Sequence, residues 1–257
     1  MSITLESIVH AARERVKQAS EADGLHARAL AHAPRGFRSA LARAAERGPG
    51  VIAELKKASP SKGLIRSDFS PGALARELES AGAAALSVLT DQEFFQGSLA
   101  NLDAASQAVR IPCLRKDFIV HPSQILESRA FRADAILLIV AALSDVELRE
   151  LKSAAATERL DVLCEVHDEA ELGRALDLGF DLIGVNNRDL KTFEVKLETA
   201  FRLAPLIPEG IVRVAESGIS STEDIRRLRD VGYHAFLIGE TLMKAEHPGE
   251  KLEEFLQ

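Results

Sequence analysis

From residue 50 onward the chain alternates between short, almost wholly apolar runs rich in Val, Ile and Leu and longer stretches in which apolar residues recur with helical spacing. The short runs are 51–56, 84–89, 113–116, 135–140, 162–166, 182–186, 212–215 and 235–238. Apolar residues at consecutive positions suit strands covered on both faces, and the helical stretches between them make each repeat a βα unit. The helices have physical starts and stops. Pro71 opens one where a missing N–H costs nothing, while Ser144 with Asp145, and Ser220 with Ser221 and Thr222, offer oxygens to unpaired N–H groups. Gly82, Gly179 and Gly232 follow helices where a left-handed residue closes the last turn. Eight consecutive units predict an α/β fold, a closed (β/α)8 TIM barrel. An open doubly wound sheet competes, but the chain lacks the Gly-x-Gly-x-x-Gly fingerprint of the dinucleotide-binding version.

Ahead of the first strand, Leu5, Ile8, Val9, Ala12 and Val16 share one helical face, and a second helical stretch over 37–45 ends at Gly48, Pro49 and Gly50. Residues 1–257 are therefore read as one domain, with 1–50 a helical extension and 51–257 the barrel. The extension suits either a plug in one barrel mouth or a lid near the substrate.

Composition narrows the function. The length of 257 residues is close to the roughly 250 of a TIM barrel, and 46% hydrophobic residues can fill its core. A net charge of −7 opposes nucleic-acid binding. No apolar run approaches the ~20 residues of a membrane span, and residues 1–6 lack a basic-then-apolar leader, so a cytoplasmic monomer without membrane partners is expected. Cys113 and Cys164 sit in separate apolar runs and read as buried, reduced thiols. The seven histidines show no metal-ligand spacing, and no metal is expected.

Candidate chemistry follows from strand parity, because alternate side chains face the barrel interior and those at the C-terminal ends face its mouth. Glu54 and Lys56 share the inward face of the first strand. Lys116 shares parity with Leu114, so Lys116 points in and Arg115 out; Glu165 points in beside Leu163. Asn186 with Arg188, and Glu216, stand where the sixth and seventh strands run out. Any one of these could be a solvated charge, but convergence from five strand ends is what a barrel enzyme requires. Ser217 and Gly218 after the seventh strand and Gly239 after the eighth fall where barrels build phosphate sites from backbone amides, and a Cβ at 239 would crowd the phosphate. Phe94, Phe95 and Phe118 follow the second and third strands as lid packing or a substrate wall. His167 can share the face of Glu165, but a loop histidine is ordinarily unremarkable and it is left out of the site.

The motifs VIAELKKASPSKG (51–63), SVLTDQEFFQGS (87–98), LRKDFIV (114–120), VNNRDL (185–190), VAESGI (214–219) and FLIGETLM (236–243) resemble, in order, those of the indole-3-glycerol-phosphate synthases. The resemblance covers essentially the whole chain. It implies a carboxy-lyase of tryptophan biosynthesis that closes 1-(2-carboxyphenylamino)-1-deoxyribulose 5-phosphate to indole-3-glycerol phosphate, losing carbon dioxide and water. No cofactor is implied, and the partner is that small phosphorylated substrate. By the same resemblance Lys116 is the general acid and Glu165 the carboxylate that takes up a proton. Lys56 contacts the substrate carboxylate with Glu54 orienting it, and Asn186 and Glu216 position the substrate. Ser59, Ser217, Gly218 and Gly239 hold phosphate, with Arg188 a weaker match, and Phe95, Phe118 and Leu137 form an apolar slot. The chain departs from some members in carrying Glu240 where they have Ser, so Glu240 is expected to turn away from phosphate. With the sequence running only shortly past the eighth unit, the fused isomerase barrel of some members is not expected and one reaction step is. The residues alone also admit a Schiff-base aldolase or another phosphate-binding barrel enzyme. A related isomerase would need Asp or Cys pairs at the strand ends, and a retired binding scaffold would be expected to have lost one of the charged groups.

Overall fold

The computed structural model describes residues 4–18, 24–190, 192 and 194–257. Of residues 1–6, weighed above for a leader, 1–3 lie outside this set. Eight strands form the barrel: β1 (Gly50–Leu55), β2 (Ala85–Leu89), β3 (Cys113–Lys116), β4 (Ala135–Ile139), β5 (Asp161–Val166), β6 (Leu182–Asn186), β7 (Val212–Glu216) and β8 (Ala235–Ile238). Every strand is parallel to its neighbours, and β8 closes on β1. Each lies within one residue of its predicted run.

Closure divides the apolar residues by parity. Ile52, Ala85, Leu114, Leu163, Leu182, Val214 and Ala235 fill the interior, whereas Val51, Leu86, Ile136, Cys164, Ile183, Ala215 and Phe236 pack outward beneath the helices. Both cysteines are free and buried. The predicted helix ends are present: Ser144 with Glu147 and Ser221 with Asp224 form capping boxes, and Gly82, Gly179 and Gly232 have φ of 98°, 71° and 95°. Among the described residues no helix is long and apolar enough to cross a membrane.

Among its described residues the extension contains three helices, α1 (Leu5–Gln18), α2 (Leu25–Leu30) and α3 (Phe37–Ala45). The sequence reading has no counterpart for α2. At six residues it is too short to show a period, and it owes its place to packing on helix Ser123–Ala130. The plug and lid roles are divided between α3 and α1. Phe37 and Leu41 of α3, both fully buried, enter the interior cluster from the N-terminal ends of the strands. Leu5 and Ile8 of α1 line the opposite mouth, where Arg15 donates to Asp91 (2.6 Å) and Arg13 to Glu147 (2.7 Å).

The segment between α2 and α3 is fastened to the barrel floor through Asp134, which is fully buried just ahead of β4. Its carboxylate accepts from the backbone N–H groups of Arg35 (2.7 Å) and Cys113 (2.6 Å), and from the Arg35 guanidinium (2.5, 3.0 and 3.1 Å); His32 Nε2 lies at 3.2 Å. Arg35 also donates to the carbonyls of Ser106 and Val109. Arg38 continues the seam, its N–H donating to Asp161 at the start of β5. Burial by itself would raise the pKa of Asp134, but the donors of His32, Arg35 and Cys113 outweigh it and the pKa is lowered.

Asp134→Ala leaves a part-buried guanidinium and the buried Cys113 N–H without their acceptor and should cost about 3 kcal/mol, read as a lower denaturant midpoint. Because the folded-state pKa is depressed, the contribution of Asp134 is present above the range of an unfolded aspartate, about pH 4, and is lost as pH falls through the folded value. Wild type should therefore lose its advantage over Asp134→Ala in acid. A constant gap down to low pH would refute this.

Candidate active site

The C-terminal ends of the strands open into a cavity of about 660 Å³. All fourteen residues singled out from the sequence line it: Glu54, Lys56, Ser59, Phe95, Lys116, Phe118, Leu137, Glu165, Asn186, Arg188, Glu216, Ser217, Gly218 and Gly239. The reason is parity. Lys116, Glu165 and Glu216 stand two residues beyond Leu114, Leu163 and Val214, and Glu54 two beyond Ile52, so the apolar interior layer carries a charged layer directly above it.

Two ion-paired groups form in that layer. Lys116 Nζ donates to Glu165 Oε2 (2.8 Å) and lies 3.2 Å from Glu216 Oε2. Lys56 Nζ donates to Glu54 Oε1 (2.5 Å), whose other oxygen is 3.5 Å from Ser87 Oγ. Glu54, Glu165 and Glu216 are only 3%, 2% and 1% exposed, so charge on them depends on these ammonium groups rather than on water.

The environments push the ionisable groups apart. Burial works against the Lys116 ammonium, but the carboxylates of Glu165, Glu216 and Glu54 outweigh it and its pKa is well above the lysine range. Burial likewise opposes charge on Glu165, yet Lys116 and His167 hold its pKa well below the carboxylate range. Glu216 goes the other way, to about 8: burial disfavours its charge, and Glu165 and Glu54 add repulsion that Lys116 does not cancel. Neither oxygen of Glu216 makes an aligned hydrogen bond, and it meets Lys116 as an ion pair at 3.2 Å. One ammonium thus faces an ionised carboxylate and, at neutral pH, a protonated one.

Two inward glycines make room for the buried acids. A Cβ on Gly184 of β6 would run into Glu216 Oε1, and one on Gly239 would run into Glu54. At 239 the side chain of Glu54 alone already requires the absence of a Cβ. Ser217 and Gly218 both have positive φ, 64° and 81°, which turns the chain sharply after β7. Glu240 opens helix Glu240–Lys244 at the cavity rim and accepts from Lys244 (2.6 Å), a bond that lowers its pKa. It is thus paired along its own helix while still lining the cavity.

Three residues outside the predicted set support the site. His167 Nε2 lies 3.3 Å from Glu165 Oε1 and its Nδ1 3.0 Å from Glu171 Oε2. Asn187 donates to the carbonyls of Glu216 and Ser217 and accepts from the N–H of Ala200, joining the loops after β6 and β7. Arg115 does point outward, but it is buried, bonded to Asp117, Glu127, Ser128 and the Gln124 carbonyl. The available signal for His167 was its shared parity with Glu165; the partners of Asn187 are remote in sequence, whereas those of Arg115 lie on the loop and helix that directly follow β3 and are brought to it by the fold of that βα unit. Asn186 Oδ1 accepts the Arg188 N–H at 3.0 Å. Among the described residues no cluster of His, Cys, Asp or Glu is arranged to hold a metal ion.

Comparison with known proteins agrees with this layout. Residues 5–255 match the sequence model of the family described as indole-3-glycerol phosphate synthase. The chain is 61% identical over 259 aligned positions to the indole-3-glycerol phosphate synthase of Koribacter versatilis, covering 100% of both chains. To that of Acinetobacter baumannii it is 52% identical over 84% of this chain and 80% of the relative. A solved thiamine phosphate pyrophosphorylase from Pyrococcus furiosus shares the fold, with a TM-score of 0.61 at 16% identity over 82% of this chain and 95% of that one. The family match takes in the barrel, most of its helical extension and all six motifs at the strand ends, and the chain belongs to the indole-3-glycerol phosphate synthase family.

Proposed function

We propose that this chain, acting as one domain over residues 1–257, closes 1-(2-carboxyphenylamino)-1-deoxyribulose 5-phosphate to indole-3-glycerol phosphate with Lys116 as the general acid. The observation that carries the reading is the Lys116 ammonium held between Glu165 and Glu216 at the base of the cavity, facing the Lys56–Glu54 pair. An ammonium has three N–H donors. One is bonded to Glu165, and Glu216 is met as an ion pair without an aligned bond, so a donor is left for the ribulose carbonyl. Its raised pKa makes Lys116 a hydrogen-bond donor first and a proton donor only once that oxygen has gained alkoxide character.

Lys56 meets the substrate carboxylate, oriented by Glu54, and carbon dioxide leaves as the ring rearomatises. Loss of carbon dioxide returns the broken bond's electron pair to the ring without releasing a proton. The hydroxyl left by closure then departs as water, Lys56 giving it a proton while the ionised Glu165 takes one from the adjoining carbon, and Asn186 and Glu216 position the reacting atoms. Phe95, Phe118 and Leu137 form the slot for the aryl ring. Ser59, Ser217, Gly218, Gly239 and Arg188 serve the phosphate, with backbone amides after β7 and β8 as its donors. The aldolase alternative needs a neutral amine as nucleophile, and the carboxylates around Lys116 oppose that form.

Lys116→Met should lower kcat by roughly 10²–10⁴-fold with KM within about an order of magnitude, measured by the fluorescence of the indole product; near-normal turnover would sink the assignment. Substrate brings negative charge to a mouth lined with carboxylates, so a neutral Glu216 favours its capture. kcat/KM should therefore fall as pH rises through about 8. Glu216→Gln, neutral at every pH, should abolish that fall, and a fall that persists assigns it to another group. Gly239→Ala should push Glu54 away from Lys56 and lower kcat on the order of 10²-fold, while inhibition by inorganic phosphate stays nearly unchanged. Loss of phosphate inhibition with normal kcat would return the role of Gly239 to phosphate approach.

A further inference from the structure

We infer that His167 is a positioning residue for Glu165: clamped by Glu171, its imidazole holds the carboxylate oxygen that Lys116 leaves free and stays with it when Lys116 turns to substrate. This rests on the roles proposed above for Lys116 and Glu165.

The geometry is a chain of contacts running inward from a helix end. Lys116 takes Glu165 Oε2, leaving Oε1 to face His167 Nε2 at 3.3 Å. That contact is off hydrogen-bond alignment and acts as charge on charge. The other ring nitrogen lies 3.0 Å from Glu171 Oε2, and the same oxygen accepts the His167 backbone N–H at 2.8 Å. Glu171 is the third residue of helix Glu169–Asp177, whose cap Asp168 accepts the Glu171 N–H at 2.9 Å. In a capping box a glutamate at this position reaches back to the N–H of the cap residue. Here it reaches one residue further and grips both the backbone and the ring of His167. The imidazole is thereby anchored to a helix N-terminus. It does not line the cavity, so it reaches the chemistry only through Glu165.

Burial opposes charge on this imidazole, but Glu165 and Glu171 on either side raise its pKa to about 10, so it is a cation at neutral pH. Lys116 on β3, Glu216 on β7 and His167 face Glu165; Glu54 on β1 acts on Lys116 and Glu216; Glu171 faces His167 from its helix. When Lys116 gives its proton to substrate, Glu165 loses the charge of one cationic partner. His167 keeps the other, and Glu165 stays ionised.

The test is the pH dependence of kcat in His167→Asn and Glu171→Gln, with Glu165→Gln as control. His167→Asn should lower kcat about 10-fold, part of the roughly 10²–10⁴-fold worth of a placed acid or base, with KM within about threefold. Removing a cation raises the pKa of the neighbouring carboxylate, so the acid limb of kcat should move to higher pH by roughly 1–3 units. Glu171→Gln should move it the same way by less. A drop in kcat with an unmoved acid limb gives His167 a packing role only and overturns the inference, as does unchanged kcat with an unmoved limb. If His167→Asn does not fold, Glu171→Gln decides alone by the same two readings. Should Glu165→Gln keep full activity, the roles assigned to Lys116 and Glu165 fall first, whatever His167 does.

Discussion

Lys116 carries an ammonium within contact distance of two carboxylates at the base of the cavity, and the surrounding architecture is arranged to keep that ammonium charged and in place. A glutamate that is 1% or 2% exposed has almost no water to stabilise its charge, so an ionised carboxylate there depends on the cations beside it and one without enough of them holds its proton. The stabilisation is shared unequally. Glu165 has Lys116 and His167 and stays ionised, whereas Glu216 has a poorly aligned contact with Lys116 alone and holds a proton up to about pH 8. Two carboxyl groups two strands apart thus rest in different protonation states, a separation that suits them to different tasks in one reaction.

Such a cluster needs a rigid surround, since an unfilled or yielding cavity would let the charges find water. The surround is built at both ends of the barrel. Below, Phe37 and Leu41 of α3 close the interior, and the Asp134–Arg35 network fixes the chain leading to α3 against the starts of β3 and β4. Above, Gly184 and Gly239 give up the side-chain volume that Glu216 and Glu54 occupy. Outside, Arg115 ties the end of β3 to helix Ser123–Ala130, so the strand that carries Lys116 is held from its back face as well.

The strands, their order and the inward set of residues were legible in the sequence because they depend on local periodicity alone. An apolar run marks a buried strand, parity assigns each side chain to one face, and Lys116, Glu165, Glu216 and Glu54 follow without knowledge of their partners. Helix ends at Ser144, Ser221 and Gly82 were legible for the same reason, since a cap bonds within its own turn. The short helix α2 was not, because its position is set by packing on helix Ser123–Ala130 rather than by its own spacing.

What the sequence determined by itself was therefore everything that a period of two or of 3.6 residues can encode: the eight βα units, the faces of the strands and the group of charges at one end. Apart from Glu54 and Lys56, two residues apart at the end of one strand, which charge neutralises which was decided only by closure of the barrel. Lys116 and Glu165 are 49 residues apart and Arg35 and Asp134 are 99 apart, so their attraction exists only once the chain has brought them together. The same closure made His167 a partner of Glu165, divided the extension into a plug and a cover, and set the space requirement of Gly239 by Glu54. Each of these is a through-space contact between side chains, and a contact of that kind leaves no periodic trace in the chain that makes it.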